Sequence, residues 1–288
     1  MDDYKRVAAT FTKTLRVKTR LWILAIFSIA IVLAAVAMPP VPQPHTYHLF
    51  ADQRMMLGIP NFMNVVSNLA ILLSGLAGLS LLWRSYNMSN QRGNRPVFIT
   101  AAEYWPYLVL FTSVVMTAPG SAYYHWGPDN AGLFWDRLPI AIGVTALLAT
   151  VLSERIHPKL GFWSLPVLVL IGAGSVLYWY WGEQQGAGNL NFYIVIQFYS
   201  LLLVVLLSLI LPSRYTHGND IYKIIGLYAI AKLVEILDHQ IFDFGHVISG
   251  HTVKHLLAAW AVWWIVRMLQ RRDYIVDSNR VGRIGVLK

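Results

Sequence analysis

The chain has no cysteine among its 288 residues. A disulfide framework and thiolate ligands to a metal are therefore excluded. Any metal bound here must be held by histidine, carboxylate or water, which favours zinc over an iron–sulfur cluster or Cu(I).

Charged residues are also scarce. They make up 13% of the chain, about half of the ~25% that is typical of soluble proteins. Hydrophobic residues make up 56%, and the mean hydropathy is +0.50. This composition predicts an all-α polytopic transmembrane bundle. The net charge of +9 does not indicate nucleic acid, because the basic residues cluster beside apolar segments, where they orient a membrane protein.

Eight apolar segments are long enough to cross a bilayer at about 20 residues per crossing. They lie near 21–38, 62–83, 104–125, 134–153, 161–181, 191–212, 221–242 and 248–269. The first resembles a signal sequence with a basic flank, but it has no convincing small-x-small cleavage site before Met38. We therefore expect a retained anchor, with a cleaved signal peptide as the alternative.

Loop charges predict the orientation of these spans. Basic residues fall on alternate sides of the apolar segments, namely Lys13, Arg16, Lys18, Arg20, Arg84, Arg92, Arg95, Arg155, Lys159, Arg214, Lys223, Arg267, Arg271 and Arg272. The loops around 39–61, 126–133, 182–190 and 243–247 carry few basic residues. Under the positive-inside rule both termini are cytoplasmic and these four loops face the external, periplasmic or lumenal side.

Five polar residues then fall at one side of the membrane. SAYYH places Ser121 and His125 on one helix face, HTVKH does the same for His251 and His255, and Asp136 begins the next predicted span. Three imidazoles with one position left open match a catalytic rather than a structural zinc site. Polar groups in a bilayer are costly and mark function. The alternative is that these histidines cap helices or line a pore.

These segments resemble the alkaline ceramidases, which belong to a superfamily of membrane hydrolases that includes the adiponectin and progestin receptors. The resemblance covers SAYYH, Asp136 fifteen residues after Ser121, HTVKH, and the weaker NFMNVVSN and EILDHQIF. It implies a seven-helix core at 61–270, preceded by a tail, an extra anchor helix and a loop at 1–60 and followed by a basic tail at 271–288. Animal members bind calcium through an acidic cluster before the core, where this chain offers Asp52, Asn61 and Asn64. A calcium site is not supported here.

The site residues suit a zinc-dependent amidohydrolase. His125, His251 and His255 are the proposed ligands of a zinc ion, which acidifies a bound water. Asp136 is the proposed general base and acid, although it also suits an ion pair with Arg137 or a helix N-cap. Ser121 is placed to bond the developing oxyanion. A nucleophilic serine, or a serine that bonds only its own helix, is the alternative.

Further polar residues of the core have weaker assignments. Glu235 and Asp238 are candidates to hydrogen-bond the histidine rings and orient them, or they join helices by hydrogen bonds. Asn64 and Asn68 share a helix face and are weaker candidates for the same role, with hydrogen bonds between helices as the preferred account. His45, His48, His157 and His217 lie in predicted loops and receive no role.

The favoured function is cleavage of the N-acyl amide of ceramide or a related lipid, giving a fatty acid and a sphingoid base. The alternatives are a receptor or scaffold with structural zinc, and a transporter. A transporter is disfavoured because the polar residues lie at one end and no internal repeat is evident. The sequence specifies neither the acyl chain, the lipid class nor an oligomeric state.

Overall fold

The computed structural model describes residues 2–88 and 97–275, with side chains from residue 17 onward. The predicted basic residues Arg92 and Arg95, and the predicted tail beyond residue 275, lie outside this description. So do the side chains of Lys13 and Arg16.

Every secondary-structure element in the described residues is a helix, apart from two isolated β-bridges. The α-helices are α1 (Asp2–Ala37), α2 (Phe62–Val66), α3 (Asn68–Met88), α4 (Tyr104–Trp126), α5 (Asn130–Arg155), α6 (Pro158–Gln184), α7 (Asn191–Ile194), α8 (Ser200–Ile210), α9 (Asp220–Ile236), α10 (Asp238–Asp243) and α11 (Gly250–Arg271). Short 3₁₀ turns cover His45–His48 and Ala101–Glu103, and a π-helical turn at Val195–Tyr199 joins α7 to α8. The predicted all-α class is confirmed.

Five stretches of these helices are long and apolar enough to cross a membrane. They are Val17–Ala37, Phe62–Asn87, Asn130–Arg155, Pro158–Gln184 and Asn191–Ile210. The predicted spans near 104–125, 221–242 and 248–269 coincide with α4, with α9 and α10, and with α11, but these helices are not in that set. The membrane character of the protein is thus supported, while the eight-span topology stays a prediction.

Local sequence accounts for the sharp helix starts at the end of the molecule that carries the histidines. The Asp129 side chain caps α5 by accepting from Gly132 N at 2.6 Å, and Ser249 caps α11 by accepting from Thr252 N at 3.1 Å. Side-chain caps of this kind satisfy backbone N–H groups that lack helical partners. They fix the first turns of the two helices that carry Asp136 and His251.

Two predicted spans are not continuous helices. The segment predicted at 221–242 is interrupted at Leu237, and the segment predicted at 62–83 is interrupted at Ser67. At the first break, the Asp238 carboxylate accepts from the backbone N–H groups of both Ala51 and His251. The loop before α2 and the start of α11 thus both bond to the chain at the point where α9 ends. Hydropathy alone does not predict this break.

Helix α5 lies at the centre of the bundle. About 78% of its apolar stretch is buried, whereas only 6% of Val17–Ala37 is. It packs on α4, α6 and α8, while α11 packs on α3 and α9. Gly120 lets α4 approach α5 closely, because a Cβ at that position would lie 2.2 Å from the Trp135 carbonyl oxygen. This contact brings Ser121 beside Asp136.

A buried ionic network lies at the opposite end of the bundle. Arg272 pairs with Glu154, and Arg214 pairs with Glu103, whose carboxylate also accepts from the Tyr215 hydroxyl at 2.6 Å. The network joins the start of α4 to the ends of α5 and α11. It lies far from the histidines, which are at the other ends of the same helices.

Candidate metal centre

Three buried histidines converge at one end of the bundle. His125 comes from the last turn of α4, and His251 and His255 come from the first two turns of α11. One ligand nitrogen from each lies within 4.8 Å of the others, and the Nε2 atoms of His125 and His251 are 3.2 Å apart. The three side chains predicted from SAYYH and HTVKH are therefore together and can hold a metal ion.

The Ser67 hydroxyl lies where it can set the tautomer of His255. Its Oγ lies 2.7 Å from His255 Nδ1 and 3.1 Å from the Asn64 carbonyl oxygen. When the hydroxyl donates to Asn64, it accepts from Nδ1–H, and His255 Nε2 then carries a lone pair. This buried Nε2 atom has no hydrogen-bond partner among the described residues. Such outer hydrogen bonds commonly orient metal-binding histidines.

The donor set fits a small divalent cation. In a tetrahedral zinc site with Zn–N distances near 2.0–2.1 Å, the ligand nitrogens are about 3.3 Å apart. The 3.2 Å separation of the His125 and His251 Nε2 atoms is close to this value. Together with the buried Nε2 atom of His255, which has no hydrogen-bond partner among the described residues, this geometry suits three imidazole ligands to one cation. The fourth coordination position would then be open to water or substrate.

Backbone and amide contacts hold the helix ends that carry the histidines. Asn61 Nδ2 donates to the His125 carbonyl oxygen at 2.9 Å. Asn64 Oδ1 accepts from the Thr252 hydroxyl at 2.8 Å, and the His251 N–H donates to Asp238 at 2.7 Å. Asn64 and Asp238 therefore position α11 rather than an imidazole ring.

The other two residues considered as partners of the histidine rings, Asn68 and Glu235, bond elsewhere. Asn68 Nδ2 donates to the Asn64 carbonyl oxygen at 2.8 Å, across the break between α2 and α3. Glu235 pairs with Lys232 and with Lys254, the latter at 3.0 Å. Neither Asn68 nor Glu235 bonds a histidine ring in the described part of the chain.

Lys254 is an additional group at the site. Its Nζ lies 2.8 Å from His251 Nε2 and 3.0 Å from Glu235 Oε1. An ammonium group can only donate hydrogen bonds, so its contact with His251 Nε2 requires a lone pair on that nitrogen. A bound metal would use the same lone pair, and Lys254 would then bond Glu235 alone.

Ser121 and Asp136 line a cavity beside the histidines. The cavity has a volume of about 370 Å³, and His255, Lys254 and Glu235 also contribute to its wall. Ser121 and Asp136 are both buried. Most of the remaining wall is apolar and belongs to α4, α5, α8, α9 and α11. A chain-like apolar group can therefore lie in the bundle with its polar end at the histidines.

The loop at 38–61 covers the site from the end of the bundle. The Phe50 ring is 3% exposed and packs on the rings of His125 and His251, with centroids 4.6 and 4.7 Å away. His48 lies beside it, 3.0 Å from the Tyr124 hydroxyl. Phe50 is therefore part of the roof of the proposed metal centre.

An ion pair ties this loop down. Arg54 bonds the Asp52 carboxylate at 2.7 Å and donates to the carbonyl oxygens of His246 and Val247. Burial opposes ionisation of Asp52, but the hydrogen bonds and charge of Arg54 outweigh it and lower the pKa of Asp52 below 3.8. Asp52 thus already has a guanidinium as its cationic partner.

Four residues of the site escaped sequence reasoning: Tyr47, Phe50, Ser67 and Lys254. Phe50 and Tyr47 lie in a loop with no motif. Lys254 lies within HTVKH, three residues after His251, and that spacing alone places it on the same helix face. Ser67 follows Asn64 by three residues, but its partner His255 is 188 residues away.

Comparisons with protein families, with curated proteins and with solved structures found nothing that matches this chain.

Proposed function

We propose that the chain is a zinc-dependent amidohydrolase that cleaves the N-acyl amide of ceramide or a related membrane lipid. The proposed architecture is a seven-helix core at 61–270 with one added N-terminal helix and both termini cytoplasmic. The observation that carries the proposal is the three-histidine cluster, whose His255 lines the same cavity as Ser121 and Asp136.

The cavity supports a lipid rather than a small polar substrate. Its wall is mostly apolar, and the polar groups on it include Ser121, Asp136 and His255. Ligand cavities commonly combine an apolar lining with a few convergent polar groups. An acyl chain in the apolar part would place its amide beside Ser121 and Asp136.

The chain's own residues supply the proton transfers. When bound, zinc would polarise the amide carbonyl and acidify a water. Asp136 accepts the proton of the attacking water as its oxygen bonds to the acyl carbon, and returns that proton to the nitrogen as the C–N bond breaks. Ser121 donates a hydrogen bond to the carbonyl oxygen as negative charge develops on it. Fatty acid and free amine are the balanced products.

Fatty-acid release from a panel of lipid amides tests this function. The wild type should release fatty acid, and a chelator should abolish the release. Asp136→Asn should keep its metal and lose about 10²–10⁴-fold in turnover, the usual size of a general acid–base contribution. Ser121→Ala should lose about 10²-fold if it supplies one oxyanion donor.

The same assay separates the alternatives. A nucleophilic serine predicts an acyl-enzyme trapped on Ser121 and near-complete loss in Ser121→Ala. Unchanged turnover in Asp136→Asn at equal metal content would remove Asp136 from the mechanism. No release from any lipid amide by metal-loaded wild type would contradict the enzyme and favour the receptor.

A further inference from the structure

Arg137 is a buried cation that forms no ion pair with another described residue. It is 5% exposed, and its Nη1 atom is buried without a hydrogen-bond acceptor. The faces of the guanidinium are covered by three aromatic rings, with centroids 4.5 Å away for Trp179, 4.8 Å for Tyr193 and 5.3 Å for Tyr47. Cation–π contacts stabilise the charge but leave the N–H donors at the edge of the group unused.

The other buried arginines of the described chain are bonded differently. Arg155 donates to the carbonyl oxygens of Ser208, Leu211 and Gly218. Arg272 pairs with Glu154. Because an unpaired buried charge is costly, a guanidinium with no such acceptor among the described residues is the kind of group that binds a ligand.

Arg137 faces the same cavity as the catalytic groups. The ionisable side chains on the wall are Asp136, Arg137, Lys232, Glu235 and Lys254, together with His255. Glu235 is shared between Lys232 and Lys254. Three basic and two acidic side chains thus line the cavity, which leaves one positive charge in excess when all five are ionised, and Arg137 is the basic group among them with no ion pair in the described chain.

We propose that Arg137 binds the anionic oxygen group of an amphiphile whose chain occupies the apolar part of the cavity. Resting on the proposed function, this narrows the substrate class from ceramide, which carries no anionic group, to a related N-acyl lipid with a carboxylate or phosphate near its amide. Guanidinium groups match both anions with two parallel hydrogen bonds. The fatty-acid product is a less suitable source, because its carboxylate forms at the histidine cluster, which already supplies positive charge when metal is bound.

Binding of amphiphiles without an amide tests the anion site independently of catalysis. Metal-loaded protein in zwitterionic nanodiscs is titrated with hexadecyl phosphate and with neutral 1-O-hexadecylglycerol. The wild type should prefer the phosphate by about tenfold or more, as expected for hydrogen bonds to a charged group. Equal binding of the two amphiphiles by the wild type would overturn the proposal.

Three variants assign that preference to Arg137. Arg137→Gln should abolish it, and Arg137→Lys, which keeps the charge in a smaller group, should retain part of it. Arg84→Gln removes an exposed arginine of α3 and should keep the full preference. A preference that survives in Arg137→Gln would place the anion elsewhere, such as at the metal, and would overturn the proposal.

Turnover then identifies the source of the anion. Wild type should cleave N-palmitoylglycine with a higher kcat/KM than N-palmitoylethanolamide, and Arg137→Gln should lose that difference. Palmitate inhibition that depends on Arg137, with no such substrate preference, would assign the site to the product and overturn the substrate class.

The two proposals fail in distinguishable ways. An Arg137-dependent binding preference without hydrolysis of either amide would support the anion site and contradict the proposed function. Hydrolysis of both amides with no effect of Arg137→Gln would support the function and contradict the anion site.

Discussion

The Nε2 atoms of His125 and His251 lie 3.2 Å apart at the ends of α4 and α11. The two residues are 126 positions apart in sequence, and Asn61 and Asp238 hold the backbone at each of them. Two buried imidazole nitrogens at this distance, with the free Nε2 of His255 nearby, match the spacing of ligands around one cation. The fold therefore builds a site at a junction of two helix ends.

Ser67→Ala should weaken metal binding without removing a ligand. The Ser67 hydroxyl lies 2.7 Å from His255 Nδ1, where accepting from Nδ1–H would keep the Nε2 lone pair directed at the site. Loss of such an outer partner typically costs about 10–100-fold in metal affinity. Ser74→Ala is the matched control, because Ser74 is a buried serine of α3, seven positions after Ser67, that bonds only the Ile71 carbonyl oxygen. Metal titration against a competing chelator measures the difference, and equal affinity in both variants would refute the role of Ser67.

Phe50→Ala should open the roof of the site. Phe50 packs on two of the histidine rings and is almost fully buried, so truncation should cost about 3 kcal/mol of stability. It should also speed the loss of metal to a chelator. Phe244→Ala, at a residue that is 92% exposed, should change neither quantity. Identical release rates in the two variants would show that the 38–61 loop does not cover the metal.

Attachment of the 38–61 loop should weaken in acid. The pKa of Asp52 is lowered in the folded protein, so its ion pair with Arg54 adds stability above the ordinary pKa of 3.8 and loses it as the pH falls further. Protection of the loop against hydrogen exchange, measured relative to the intrinsic exchange rate at each pH, should therefore fall below about pH 4. Asp52→Asn should show low protection at every pH. A wild-type loop whose protection does not change with acid would contradict this account.

The sequence predicted the helices and the candidate ligands because both depend on local periodicity. The span predicted at 104–125 coincides with α4 at Tyr104–Trp126, and the i,i+4 pair His251 and His255 occupies one face of α11. That His125 and His251 lie at the same side of the membrane was inferred by counting the predicted spans between them. Consecutive spans run in opposite directions, so the end of one span and the start of a later one can lie on the same side.

Contacts between distant segments could not be predicted in this way. The three aromatic rings that cover the Arg137 guanidinium, those of Tyr47, Trp179 and Tyr193, come from three separate parts of the chain. The break at Leu237 follows from Asp238, which bonds a loop and another helix. Both features are tertiary, so neither the hydrophobic period nor the residue propensities carry a signal for them.

The predicted topology places the histidine end of the bundle on the external side. Reporter fusions at residue 288 should be cytoplasmic, and a tag in the 126–133 loop should be external, as the positive-inside rule requires. A second fusion in the 182–190 loop should also be external. A C-terminal fusion found outside would change the number of crossings and remove the basis for assigning the site to that side.

Metal content tests the central claim most directly. Purified wild-type protein should contain about one zinc per chain, because the described histidine cluster is a single three-ligand site. His125→Ala, His251→Ala and His255→Ala should each lose most of it, while His45→Ala, at an exposed loop histidine, should keep it. Full zinc occupancy in the three cluster variants, or none in the wild type after zinc reconstitution, would contradict the account.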